Sequence, residues 1–209
     1  MSRLILIALL STLFISVVRA AEPAVAGAVS HIQGAAFANR NASSNALSKD
    51  TPILVGDRIV TGHGARVVLR MIDGAVLTLG ADTEFAIGDY RYSEKMQQGS
   101  AALELVKGVF RAVTGEIGKL KERDFKVKTV VGTIGIRGTD FWGGFYFSQA
   151  LDVALLGGAG IYVENAAGRI EITTIGNGTT IHSANESPSA SIHWGEKKLD
   201  AAKQSVTLE

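Results

Sequence analysis

The chain has 209 residues, and its 21 Lys and Arg nearly cancel 20 Asp and Glu. That length suits one domain, or one domain with a tail, and the near-neutral balance excludes the basic field that attracts nucleic acid or anionic lipid. Cysteine is absent, which excludes disulfide scaffolds, thiolate metal sites and a cysteine nucleophile.

Residues 1–20 read as a secretory signal peptide. Arg3 is a short basic n-region, Leu4 to Val18 is an apolar run interrupted only by Ser11, Thr12 and Ser16, and Val18-Arg19-Ala20 presents a peptidase site. The alternative is an uncleaved anchor. The run is short against the roughly 20 apolar residues of a span, which favours cleavage. Loss of Arg3 and Arg19 leaves 19 basic against 20 acidic side chains, a net charge of about −1. No second long apolar run follows, so no transmembrane span is expected after cleavage. A mature chain entering an oxidising compartment without cysteine must be stabilised by its core.

From Ala21 onward the glycine-rich sequence, with short runs of Val, Ile, Thr, Phe and Tyr, predicts many short strands and no amphipathic helix before Ile181. "NRNASSNALSKD" (39–50) reads as a polar surface loop. "PILVGDRIVTG" reads as two strands about a Gly56-Asp57 turn. In "ARVVLRMIDGAVLTLG" the alternation sets a register. A two-residue Asp73-Gly74 turn would place the Arg70 face against Leu77 and Leu79. A three-residue loop, Ile72-Asp73-Gly74, pairs Met71, Leu69 and Val67 with Ala75, Leu77 and Leu79 and makes one face wholly apolar, so Gly74 is expected in the left-handed conformation. Nothing in the pattern demands a left-handed residue at Gly80, so Gly80→Ala is expected to be milder than Gly74→Val.

Further strands are predicted at 85–92, 101–107, 109–113 and 125–131, with polar Gly115 to Arg123 as a long hairpin connection. More follow at 151–156, 160–164, 169–175 and 179–181. Val60-Thr61-Gly62 and Val113-Thr114-Gly115 echo each other without a clean repeat period. From Ser183 the chain turns polar, and "EKKLDAAK" (196–203) is expected as a short helix with Trp194 and Leu199 as docking points.

The stretch "TVVGTIGIRGTDF" (129–141) carries Gly132, Gly135 and Gly138 three apart, with Arg137 between the last two. This spacing is not a dinucleotide fingerprint or a Walker loop. No Lys-Ser/Thr follows, and "DFWGGFYF" is not the helix whose N-terminus holds a phosphate. A KH-type GxxG loop lies between helices, whereas this one lies among β-branched residues. Four scattered histidines give no metal-ligand spacing, and no nucleophile elbow is present. The chemistry expected is therefore none: no catalysis, no cofactor, no metal. The glycines are read as allowing a bend and close strand approach. Arg137 is read as a buried arginine tying strands together, with Thr139 and Asp140 beside it.

In order, "GDRIVTG", "ARVVLRMIDGAVLTLG", "GVFRAV" and "FKVKTVVGTIGIRGTDF" resemble the FecR domain, and "LDVALLGGAGIYVENAAGRIEI" resembles its closing strands. Val131-Gly132 departs from the family, where Pro-Thr or Pro-Ala types are common. The structural signature that the resemblance carries here is Gly56, Asp57, Asp73, Gly74, Gly135, Arg137, Gly138, Thr139 and Phe141. The family's namesake is a membrane-spanning regulator whose cytoplasmic part controls a sigma factor and whose periplasmic domain listens to an outer-membrane siderophore receptor. With three residues before the hydrophobic run, this chain is expected to lack that cytoplasmic part.

The resemblance implies a free-standing, exported bacterial FecR domain. The expectation is an all-β fold of short, mainly antiparallel strands in a sandwich or roll with solenoid-like winding over 21–182, and a polar tail over 183–209. It is expected to be a non-catalytic periplasmic or secreted binding and regulatory module whose partner is a protein or an envelope component. The alternative is an envelope-structural or glycan-binding protein, which exposed Tyr90, Tyr92, Trp142 and Tyr146 lining a groove would favour. A long open strand edge would favour a protein partner. N-terminal sequencing of protein from the periplasmic fraction is expected to begin at Ala21; a chain that starts at Met1 and pellets with membranes would reject cleavage.

Overall fold

The structure is a computed structural model that describes residues 23–208; the segment read as a signal peptide lies outside the described residues. Eighteen strands follow in chain order: β1 (Val25–Gln33), β2 (Ala36–Arg40), β3 (Ser43–Ala46), β4 (Pro52–Leu54), β5 (Arg58–Thr61), β6 (Arg66–Met71), β7 (Val76–Leu79), β8 (Glu84–Ser93) and β9 (Gln98–Lys107). Then come β10 (Val109–Val113), β11 (Asp124–Thr129), β12 (Thr133–Ile136), β13 (Thr139–Gly144), β14 (Leu151–Gly158), β15 (Ile161–Asn165), β16 (Gly168–Ile172), β17 (Asn177–Ile181) and β18 (Ile192–His193). Among the described residues one α-helix, α1 (Glu196–Gln204), follows the last strand.

The strands form two sheets. Sheet A runs β4-β1-β6-β7-β10-β13-β14-β17-β18, and sheet B runs β3-β2-β5-β8-β9-β11-β12-β15-β16. Beyond the first turn, both orders follow the sequence, because the chain lays down hairpins alternately in one sheet and the other. This is the solenoid-like winding expected of the all-β fold. Among the described residues every pairing is antiparallel except β9 with β11.

Alternation explains the core. In the β6–β7 hairpin Val67 lies opposite Leu79 and Leu69 opposite Leu77, the register that keeps one face apolar. All four are fully buried. They face Phe85, Ile87, Leu103 and Leu105 of sheet B, also buried. Phe85, Phe110 and Phe141 run through the centre with ring centroids 5.3 and 5.5 Å apart. Each such side chain is worth about 1.5–3 kcal/mol on burial.

Two connections differ from the sequence expectation. Residues 39–50 do not form a loop throughout: β2 and β3 make a hairpin turning at Asn41, whose φ is 53°. The segment is polar because β3 is an edge strand whose residues are all exposed, so its hydrogen bonding leaves no apolar trace. Gly115–Arg123 is not a hairpin connection. It carries the chain from sheet A back to sheet B through a 3-10 helix, Glu116–Lys119, and delivers β11 parallel to β9. Parallel neighbours require a crossover, which a polar stretch of this length resembles in sequence.

The outer face of sheet A is partly covered by α1. Trp142 Nε1 donates to Ser205 Oγ at 3.0 Å, and Trp194, Ala202 and Val206 are buried against Trp142, with Leu199 packed alongside. Lys198 lies 3.9 Å from the Trp194 ring and 4.9 Å from the Phe147 ring, and pairs with buried Asp152 at 2.8 Å.

The helix corrects the reading of Gly80. A Cβ there would lie 2.6 Å from the Ser205 carbonyl oxygen, so Gly80 is the seat for the end of α1. Gly74 has φ +82° and open space around it. Gly74→Val is expected to cost about 1–2 kcal/mol through its backbone conformation alone. Gly80→Ala is expected to cost about 1–3 kcal/mol through overpacking, so it is not the milder change. Urea unfolding of both variants measures the ranking.

Candidate functional site

Of the signature residues, Gly56, Asp57, Arg137, Gly138 and Thr139 sit where the chain crosses between the sheets, Asp73 and Gly74 form the β6–β7 turn, and Gly135 and Phe141 lie within β12 and β13. At the β4–β5 corner Gly56 adopts φ +91°, and Asp57 is 1% exposed. The Asp57 carboxylate accepts from the Leu54 N–H at 2.7 Å and from Arg40 Nε at 2.7 Å, which fastens the corner to the β2–β3 hairpin.

Asp73 is the most connected polar group of this set. Its Oδ1 accepts from the Ala75 N–H at 3.0 Å and from the Tyr90 hydroxyl at 2.7 Å. Its Oδ2 accepts from the Ile117 N–H at 3.1 Å, and its carbonyl from the Glu116 N–H at 3.0 Å. One turn residue therefore holds the sheet A hairpin, β8 of sheet B and the 3-10 helix. Burial first, then the charge and hydrogen bond of Asp73, push the Tyr90 hydroxyl far above its ordinary value near 10.

Thr61 and Thr114 give the Val-Thr-Gly echo a structural counterpart. Thr61 Oγ1 donates to the Gly80 carbonyl at 2.6 Å and accepts from the Thr83 N–H at 2.9 Å. Thr114 Oγ1 donates to the Thr139 carbonyl at 3.1 Å and accepts from the Thr139 N–H at 2.8 Å. Thr139 is itself buried, as is Phe141, which belongs to the aromatic line of the core.

The glycine-rich stretch 129–141 resolves differently from its sequence reading. Gly135 makes room for a side chain rather than a backbone, since a Cβ there would overlap the Tyr162 ring of β15. The Arg169 guanidinium stacks on that ring, 3.8 Å from its centroid. Gly138 supplies φ +78° at the β12–β13 turn. Arg137 is not buried. Its side chain is 45% exposed and pairs on the solvent face with Glu171 of β16 at 2.6 Å. Its neighbours Ile136 and Thr139 point inward, and alternation sends Arg137 out. The bidentate strand-crossing pair is Arg111 with Asp140, at 2.8 and 2.6 Å; in the sequence Asp140 looked like a neighbour of Arg137.

The four aromatics proposed for a groove do not come together. Tyr90 and Trp142 are buried, Tyr92 is half-buried, and Tyr146 is exposed beside Trp142 and Phe147. Tyr92 borders a recess of about 950 Å3 with Arg91, Met96, Lys121, Arg123 and Asp124, at the far tip of β8–β9. Among the described residues no group of three His, Asp or Glu is placed to hold a metal ion, and no helix is long and apolar enough to cross a membrane.

Two nine-stranded sheets wound in sequence order, with carboxylates and threonines fastening the crossings, define an all-β sandwich domain. Residues 57–159 match the profile of the FecR protein family, which identifies a FecR domain over that stretch of the chain. The fold is similar to two crystal structures, at 1.65 and 2.50 Å, of a candidate anti-sigma factor from Parabacteroides distasonis ATCC 8503. Their TM-scores are 0.54 and 0.53, and both show 17% identity over 70% of this chain. The aligned region is 64% of that protein's length. No curated protein matches the sequence.

Two outcomes are expected. Asp73→Ala, which strands buried donors at about 1–3 kcal/mol each, should lower stability by about 3 kcal/mol or more, whereas Arg137→Ala should cost less than about 1 kcal/mol, as an exposed pair does. Equal shifts in urea midpoint would contradict this. Above pH 10 the unfolded chain loses the Tyr90 proton while the folded chain keeps it, so stability should fall as pH rises. The difference in unfolding free energy between wild type and Tyr90→Phe, followed from pH 8 to 11, should be flat at first and then shrink from about pH 10.

Proposed function

We propose that this protein is an exported, periplasmic binding and regulatory module that acts through protein–protein contacts at the bacterial cell envelope and carries out no catalysis. The observation that carries this reading is the open edge of β16, the longest strand edge at either end of the two sheets. Its solvent face is braced by Arg137 to Glu171, by Arg169 to Glu164 at 3.2 Å, and by Arg169 on Tyr162. A strand held flat with one edge free is a template for strand addition, which supplies affinity through main-chain hydrogen bonds. The FecR match and the fold shared with a candidate anti-sigma factor support a regulatory rather than a metabolic role. The glycan-binding alternative loses its groove with the burial of Tyr90 and Trp142.

Photo-crosslinking in cells tests the reading. A photoreactive phenylalanine at Glu171 should give one discrete adduct with another envelope protein in the osmotic-shock fraction, and the same residue at Lys95 should not. Co-sedimentation with peptidoglycan sacculi in the absence of an adduct would replace this reading with the glycan-binding one.

A further inference from the structure

The outer face of sheet A is covered over only half of its width. Helix α1 lies on it from Gly178, where a Cβ would meet the Trp194 indole at 2.5 Å, to Gly80, where it would meet Ser205. Beyond Ser205 the register continues the same outward rows onto bare sheet. One row runs Arg70, Val76, Val113, Asp140 and another runs His31, Val68, Thr78, Arg111. Val68, Val76 and Thr78 are half-buried and Val113 is 39% exposed. Three valines on three adjacent strands therefore present an apolar strip about 10 Å wide.

Charge distinguishes this strip from an ordinary sheet surface. Arg66 and Arg70 flank Val68 on β6 and point to the same side, about 13 Å apart. Among the described residues neither has a carboxylate partner. Arg66 donates only to the Gly64 and Ala65 carbonyls, at 3.1 and 3.3 Å, and Arg70 is exposed. The one acid on these rows, Asp140, is neutralised by Arg111. An apolar strip with two uncompensated guanidiniums on its borders is the complement of a helix with one apolar face and acidic flanks.

We propose that this half of sheet A, centred on Val68, Val76 and Val113, is a docking surface for an acidic amphipathic helix of a partner protein. The proposal rests on the protein-contact reading above and names a second surface for it. Helix α1 already shows that this sheet face accepts a helix laid across its strands. The 5.4 Å helical pitch nearly matches the strand spacing of about 4.8 Å, so successive turns meet successive strands. A second copy does not supply the occupant, because α1 carries two acids against three lysines. An anionic membrane is disfavoured too, since lipid recognition needs clusters of four or more cations.

The test uses the mature protein and a fluorescein-labelled peptide of about 15 residues, four helical turns, with leucine on one face and glutamate on its flanks. A counterpart carries lysine in place of glutamate. Fluorescence anisotropy is expected to show the acidic peptide binding and the basic one at least about tenfold weaker. Arg70→Glu should invert the preference, and Val113→Asp should abolish binding, with the near-ultraviolet circular dichroism of Trp142 and Trp194 unchanged. Failure of the acidic peptide to bind, or equal binding to wild type and Arg70→Glu, would overturn the proposal. A concentration-dependent dimer, or binding to phosphatidylglycerol vesicles, that is lost in Arg70→Glu would overturn it by assigning the face to a second copy or to lipid. Crosslinking at Glu171 keeps the two surfaces distinct: an adduct that persists while peptide binding fails removes the docking surface alone. Loss of the adduct with peptide binding intact removes the edge reading alone.

Discussion

Each time the chain leaves one sheet for the other, backbone N–H and C=O groups lose their strand partners beside an apolar core, where an unpaired polar group costs several kcal/mol. The fold depends on satisfying these groups. Asp57, Asp73 and Thr61, all buried, and half-buried Thr114 do so at or beside the crossings: Asp73 and Thr61 each bond backbone on two segments, Thr114 bonds both the N–H and the carbonyl of Thr139, and Asp57 bonds the Leu54 N–H and the Arg40 side chain. Asp73 has the widest reach, since its single carboxylate answers a turn, a tyrosine of the opposite sheet and the start of the 3-10 helix. These residues carry the appearance of a functional motif, short polar side chains among glycines, and the groups they bond belong to the fold itself.

Sequence-ordered winding has a second consequence. Sheets built by adding hairpins at one end do not close, so strand edges remain at both ends of the sandwich. At one end β3 is short and polar, and β4 is short and begins with Pro52, features that discourage pairing with other chains. At the other end β18 has two residues, while β16 has five, with charges on its solvent face. Arg137 finds its role here, in an ion-pair ladder that fixes the outer face of β15 and β16 while leaving the edge free.

The outer faces of the two sheets are treated unequally. Sheet B exposes charged cross-strand neighbours such as Glu104 with Lys128 and Glu164 with Arg169, a surface suited to water. Sheet A carries Trp142 and Ala154 outward, and α1 with Trp194 covers them. Its remaining half combines valines with Arg66 and Arg70, which have no carboxylate partner among the described residues. The molecule therefore offers two chemically different surfaces, one made of backbone and one of side chains.

Much of this was legible in the sequence, where local alternation decides it. The strand-rich class, the β6–β7 register with left-handed Gly74 and the helix near Trp194 follow from side-chain period and turn chemistry, which act over a few residues. The hairpin at 39–50 was hidden because an edge strand buries no face, and the parallel β9–β11 pair because a crossover and a long hairpin loop share the same composition. The fate of Arg137, Asp140, Tyr90 and Trp142 was decided only by the tertiary structure. Whether a polar or aromatic side chain is buried depends on what a distant segment places over it, and Glu171, Arg111, Asp73 and α1 lie 34, 29, 17 and more than 50 residues away in the chain. Spacing within a motif says nothing about such partners.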